Sequence, residues 1–280
     1  MINVPTSPWR PPLRRSPLFA SATALAAALG IALGGASAAG ASGVNHGVNY
    51  VALGDSFSAG VGSTSDYLNS CDQSTAAYPY LYATAINPSS FSFQACTEAT
   101  TASTENSQLG TLNSGTTLVS VTDGGNDIGF STVIGDCVFG DDSRCLNAIN
   151  TSENMMRDQL PGRLDTLYSK IREGAPNAHV VVLGYPEFYD LSRSDGCRGL
   201  DTTKRTAVDQ AAGLLDSVIS GEVAKYKNFT FVDVRPYFAG HQLCDSEAWL
   251  HSLTGRLFDS YHPTAAGQSG AYLPAFEAGI

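Results

Sequence analysis

The chain has 280 residues, with 16 Lys and Arg against 26 Asp and Glu, a formal charge of −10 and 43% hydrophobic residues. That length accommodates one α/β domain with a substantial core. The acidic balance excludes attraction to nucleic acid or to an anionic lipid surface through net charge.

Arg10, Arg14 and Arg15 precede a nearly unbroken run of small apolar residues from Leu18 to Leu33, and Ala36-Ser37-Ala38 follows. A basic region, an apolar region and a small-residue site in that order read as a secretory signal peptide over 1–38, cut after Ala38. A spanning helix fits less well, because the run is short and glycine-containing and no stop-transfer flank follows. Arg14-Arg15 also raises a twin-arginine route, which the residues after the pair fit poorly. Loss of the leader removes basic residues and no acidic ones, so the mature chain 39–280 is more acidic still.

Val48 to Leu53 is a short apolar run with the character of a buried strand, and it ends in Gly54-Asp55-Ser56-Phe57-Ser58-Ala59-Gly60. A serine displayed where a strand of an open α/β sheet ends is a candidate nucleophile, although Gly, Asp and Ser are also ordinary turn residues. Ala76 to Ile86 has helical composition broken by Pro79, Phe91 to Cys96 alternates as a second strand, and Thr97 to Thr104 reads as a polar loop. Leu118 to Thr122 is a third strand, closed by Asp123-Gly124-Gly125-Asn126-Asp127. Ile149 to Glu173 carries apolar residues at helical spacing, His179 to Gly184 is apolar enough to be buried on both faces, Asp201 to Lys227 is a long helix, and Phe229 to Val234 is a fifth strand. Strands alternating with helices predict βαβ units and a parallel sheet in a single domain over 39–280.

All six cysteines fall in the mature part, and an even count in an exported chain reads as disulfides. Sequential pairing is the expectation: Cys71 with Cys96, Cys137 with Cys145, and Cys197 with Cys244. No spacing resembles a zinc knuckle, and no metal is expected. The last segment holds Asp259-Ser260-Tyr261-His262-Pro263 before a helix opening at Pro263-Thr264. An aspartate three residues before a histidine can bond one ring nitrogen while the other faces a nucleophile, the division of labour a serine mechanism needs. His46, His179, His241 and His251 lack that spacing and read as structural.

Gly54-Asp55-Ser56, then Gly125-Asn126-Asp127, then Asp259-x-x-His262-Pro263 together resemble the SGNH hydrolases, also called GDSL esterases and lipases. The run Gly124 to Phe130 and the six-cysteine layout are similar to their secreted actinobacterial branch, and the resemblance extends from Tyr50 to about Gly267. It implies a flavodoxin-like α/β/α three-layer sandwich around a central parallel sheet, and ester hydrolysis without metal or cofactor. It further implies Ser56 as nucleophile and oxyanion donor through its N–H, His262 as base, Asp259 as its orienting partner, and Asn126 as a side-chain oxyanion donor. Asp259 has an alternative reading as a loop or cap residue.

One position departs from that pattern. The branch places a glycine two residues after the cysteine to give a third oxyanion N–H, and here Glu98 stands there. Glutamate lacks glycine's freedom at positive φ, and a carboxylate turned inward would repel an oxyanion.

The function expected is a secreted serine esterase or lipase that hydrolyses carboxylic esters through an acyl-enzyme on Ser56. The acyl chain and the alcohol stay open. A polysaccharide acetyl esterase or a phospholipase would use the same site, and a catalytically weakened scaffold used for binding is the alternative from another class. The partners expected are an ester or lipid substrate, with no nucleic acid, no stable membrane insertion and a monomeric chain.

Overall fold

The computed structural model describes residues 45–193 and 199–280. The leader expected over 1–38 and Cys197 lie outside the described residues. Five strands, β1 (Asn45–Gly54), β2 (Pro88–Phe93), β3 (Leu118–Thr122), β4 (His179–Leu183) and β5 (Phe229–Val232), form one sheet in the order β2-β1-β3-β4-β5. Every neighbouring pair is parallel. The chain leaves β1 for β2 on one side and returns to β3 on the other, so the connections diverge between the carboxyl ends of β1 and β3. In open α/β sheets that divergence opens the ligand crevice.

The central strands have the composition of buried parallel strands: β3 is buried along its whole length, and β4 from Val180 to Leu183. One polar pair enters the core beneath them, the Tyr50 hydroxyl 2.6 Å from Ser120 Oγ, each satisfying the other.

The helices follow in chain order as α1 (Ser56–Ala59), α2 (Tyr78–Ile86), α3 (Thr101–Ser107), α4 (Phe130–Phe139), α5 (Asp142–Asp158), α6 (Leu160–Gly174), α7 (Thr202–Val223), α8 (Ala265–Gly267) and α9 (Leu273–Ala278), with a π-helical turn at Gln268–Tyr272 joining the last two. α2 packs with α9, while α5, α6 and α7 pack with one another and α3 packs on α6. The result is the expected α/β/α sandwich.

Four local readings change. Pro79 does not break the first helix but opens it, in the first turn where its missing N–H costs nothing. The helix read from Ile149 to Glu173 is two helices parted at Gln159, because Pro161 lacks an N–H and its ring crowds the carbonyl four residues back. The second strand stops at Phe93, after which the Gln94 and Ala95 N–H groups both turn to the Ala52 carbonyl. The loop expected through Thr104 is α3 from Thr101 onward. Its helix has little apolar face, and it is started by a reciprocal cap in which Thr100 Oγ1 accepts from the Ser103 N–H and Ser103 Oγ accepts from the Thr100 N–H.

Disulfides join Cys71 to Cys96 and Cys137 to Cys145. Cys244 is also disulfide-bonded.

Candidate active site

The turn that carries Ser56 begins where β1 presses against β3. Gly54 has φ +120°, and a Cβ there would lie 2.3 Å from the Thr122 carbonyl oxygen, so only glycine fits. The Asp55 N–H extends the ladder to that carbonyl at 2.9 Å. Asp55 then caps α1, its Oδ1 accepting from the Phe57 N–H at 3.0 Å and from Thr122 Oγ1 at 2.7 Å. Ser56 is thereby the first residue of a one-turn helix that ends at Gly60 with φ +89°.

His262 reaches Ser56 from 206 residues away, with Nε2 2.7 Å from Oγ. Backbone pairing sets its loop: the His251 N–H donates to the His262 carbonyl at 2.9 Å, and the Tyr261 N–H returns to the His251 carbonyl at 2.8 Å. Tyr261 holds φ +64°, a left-handed conformation that costs a bulky L-residue about 1–3 kcal/mol. Its buried ring stabilises it there, the hydroxyl 2.6 Å from that of Tyr189 and the ring edge-on to Phe188.

Asp259 does not take the place expected of it. Its carboxylate accepts from the Tyr67 hydroxyl at 3.4 Å and sits 3.4 Å from Arg256 Nε, and no side chain among the described residues accepts from His262 Nδ1. A short 3-10 turn, Leu257–Asp259, precedes the histidine, and the Asp259 carbonyl accepts the His262 backbone N–H at 3.2 Å while its carboxylate turns to Tyr67 and Arg256. Burial pushes the His262 imidazole down to about 4, while the carbonyls of Ser260 and Phe258 pull toward the protonated ring.

Asn126 and Glu98 line the same crevice as Ser56 and His262. Asn126 Nδ2 spends one hydrogen on the Ala99 carbonyl at 2.8 Å, which aims the amide and leaves the other hydrogen available. Glu98 has φ +58°, so it adopts the left-handed conformation glycine would take, and its side chain is exposed. Among the described residues neither the Ser56 nor the Glu98 N–H has a backbone acceptor. The Cys71–Cys96 disulfide and the Thr97 N–H donating to the Cys71 carbonyl at 3.0 Å tie the Glu98 loop to the segment after α1.

Sequence reading missed Tyr185. Its hydroxyl donates to Asp55 Oδ2 at 2.5 Å and accepts from the Gly125 N–H at 3.2 Å. Its place just past β4, beside Gly184 and at the crevice end of the sheet, was the available signal. Burial pushes the Asp55 carboxyl up to about 6 against these donors. Three other histidines are engaged away from Ser56: His179 Nε2 with Thr230, His241 stacked on Trp249, and His251 Nε2 on the Gly62 carbonyl. Among the described residues no three His, Cys, Asp or Glu side chains are grouped to hold a metal ion, and no helix is long and apolar enough to cross a membrane.

Ser56 stands at the boundary of two spaces. On one side is an open crevice of about 340 Å³, whose rim carries the exposed Phe139, Leu253 and Leu257. On the other is a narrow apolar cavity of about 40 Å³ between α4, α5 and α7, lined by Ile134, Ile149, Met156, Phe188, Val208 and Leu215.

The chain matches the model of the GDSL-like Lipase/Acylhydrolase family over residues 52–269. It is 52% identical over 229 residues to Lipase 1 of Streptomyces coelicolor, covering 80% of this chain and 84% of that one. It is 43% identical over 264 residues to a lipase of Streptomyces rimosus, covering 94% and 98%. Among solved structures, a phospholipase A1 from Streptomyces albidoflavus superposes with a TM-score of 0.79 at 47% identity, over 82% of this chain and 98% of that one. An extracellular lipase from Streptomyces rimosus gives 0.80 at 43%, over 83% and 100%.

Proposed function

The chain belongs to the GDSL-like Lipase/Acylhydrolase family and is a carboxylic ester hydrolase, and from that premise we propose that it is an exported serine lipase or esterase acting on esters of apolar acyl chains. The observation that carries the reading is the 2.7 Å Ser56–His262 pair set between an apolar cavity and an open crevice.

His262 Nε2 takes the proton of Ser56 Oγ as that oxygen bonds to the ester carbonyl carbon. The carbonyl oxygen becomes an oxyanion facing the Ser56 N–H, the Asn126 amide and the Glu98 N–H. Glu98 serves through its backbone N–H, its side chain being exposed. Each such donor is worth roughly a hundred- to a thousand-fold in rate. The carbonyls of Ser260 and Phe258 stabilise the imidazolium, the work first expected of Asp259. The intermediate collapses, the C–O bond to the alcohol breaks, and His262 returns the proton to the departing oxygen. Water then attacks the acyl-enzyme with His262 again as base, releasing the acid and restoring Ser56.

Apolar lining on both sides of Ser56 supports an acyl chain longer than acetyl: Ile149, Met156, Val208 and Leu215 wall the cavity, which as it stands has room for only about one water-sized group, and the exposed Phe139, Leu253 and Leu257 rim the larger crevice. The S. albidoflavus phospholipase and the Streptomyces lipases, by their names, support a lipid ester over a polysaccharide acetate. A signal peptide over 1–38 followed by one mature domain over 39–280 agrees with disulfides, which persist in oxidising compartments, and with the extracellular S. rimosus lipase.

Hydrolysis of p-nitrophenyl acetate, butyrate and palmitate by the mature protein, beside folded Ser56→Ala, tests this. Turnover that favours the longer chains and falls at least about a thousand-fold in Ser56→Ala is the expected result. Equal rates for the two proteins would overturn the serine mechanism, and a preference confined to acetate would overturn the acyl assignment.

A further inference from the structure

We propose that Tyr185 is a positioning residue that ties the two sides of the oxyanion hole together through its hydroxyl, an inference that rests on the reading of Asn126 as an oxyanion donor. The donors come from separate strand ends. Ser56 follows β1 and Asn126 follows β3, and an oxyanion hole works only if such donors keep their spacing to a fraction of an ångström.

Tyr185 spans that gap one residue upstream of each donor. The Gly125 N–H donates to Tyr185 Oη at 3.2 Å, and Oη–H donates to Asp55 Oδ2 at 2.5 Å. The other carboxylate oxygen of Asp55 holds the Phe57 N–H and Thr122 Oγ1, so the tie ends on the helix that carries Ser56. The tyrosine is itself clamped. Its N–H donates to Asp216 Oδ1 of α7 at 2.8 Å, the preceding Gly184 carbonyl accepts from the Tyr272 hydroxyl at 3.0 Å, and its ring stands edge-on to Phe57 at 5.0 Å. A Cβ on Gly184 would lie 2.7 Å from the Asp216 carboxylate, which shows how closely backbone and clamp approach.

Packing alone does not call for this hydroxyl. The ring lines the apolar cavity, where phenylalanine would fill the same space, and burying a hydroxyl is unfavourable unless it is bonded. Tyr185 Oη makes two bonds, one to each side of the site.

Tyr185→Phe keeps the ring and removes the tie. With p-nitrophenyl butyrate and palmitate, kcat should fall by about ten- to a hundred-fold for both, the scale of a misplaced reacting group, with KM little changed. The effect should shrink strongly when Tyr185→Phe is made on Asn126→Ala, because the tie acts through the donor already lost. If Tyr185→Phe does not fold, Gly125→Ala probes the other end, since its Cβ would press within 3.3 Å of Oη and should produce the same kcat-only loss.

A wild-type kcat for Tyr185→Phe beside a slow Asn126→Ala would overturn the tie alone. Losses that multiply fully in the double variant would make Tyr185 merely structural and overturn it too. An Asn126→Ala enzyme as fast as wild type would overturn the oxyanion reading beneath it, and the tie with it.

Discussion

Ser56 Oγ and His262 Nε2 meet at 2.7 Å, and their two sides are held by opposite means. On the Ser56 side, buried side chains do the holding: Asp55 gathers the Phe57 N–H, Thr122 Oγ1 and Tyr185 Oη, and Tyr185 reaches on to Gly125. On the His262 side, backbone does it: a pair of strand-like bonds to His251, a left-handed Tyr261, and no side-chain acceptor on Nδ1 among the described residues. The contrast teaches where substitutions hurt. A side-chain network fails when one member is cut, whereas a backbone-held loop tolerates side-chain changes that leave its path intact.

Among the groups that hold the pair, the largest expected effect is therefore at Asp55. Asp55→Ala leaves three donors without an acceptor and loosens the Ser56 turn, and kcat on p-nitrophenyl butyrate should drop about a hundred-fold. An unchanged kcat would erase the contrast. Asp259→Asn is the matching probe of the other side. A triad aspartate changed to asparagine costs on the order of ten-thousand-fold, whereas here kcat should stay within about tenfold of wild type, because the carboxylate contacts Tyr67 and Arg256 instead. A collapse of kcat in that variant would restore the aspartate to the histidine.

The pH response sharpens the comparison further. Burial pushes Asp55 up to about 6 and Asp209 and Asp216 up to about 7, from an ordinary 3.8. Between about 4 and 7 the folded protein thus binds protons that the unfolded chain has released, and these three groups make stability fall as pH rises. His262, lowered to about 4 from 6.5, acts in the opposite direction over an overlapping window and offsets part of this. The thermal midpoint should be higher near pH 5 than near pH 8, and the reverse order would contradict the burial of these carboxyls. The neutral base predicts a second signature: kcat/KM should persist well below pH 6.5 as far as His262 is concerned.

The smallest effect belongs to Glu98. Glu98→Gly removes a left-handed non-glycine residue at the cost of unfolded-state entropy, for a net gain of up to about 1 kcal/mol in denaturant titration. Activity should not decline, because the backbone N–H is kept. A large loss of turnover would mean that the carboxylate itself takes part.

Much of this was legible in sequence because it is local. Buried parallel strands announce themselves as apolar runs, as β3 and β4 do, and Ser56, Asn126 and His262 stand at ordered motifs. What was not legible depends on geometry between distant segments. Tyr185 contacts Asp55 across 130 positions, and no spacing rule reaches that far. Asp259 misled because Asp-x-x-His describes a possible curl, and the carboxylate turns instead to Tyr67 and Arg256, partners no local spacing announces. α3 was hidden because it has little apolar face, its start resting on the Thr100–Ser103 cap and on Asp127, whose carboxylate receives the Thr101 N–H and hydroxyl at 2.8 and 2.7 Å.

The two unequal spaces beside Ser56 also impose an order of traffic on the proposed reaction. The alcohol, freed into the open crevice, has an unobstructed exit and departs first. An acyl chain that reached into the narrow space between α4, α5 and α7 would instead have to draw back past the serine that cut it. For long chains that retreat would be the slow passage, and product departure rather than bond cleavage would then set the pace of the cycle.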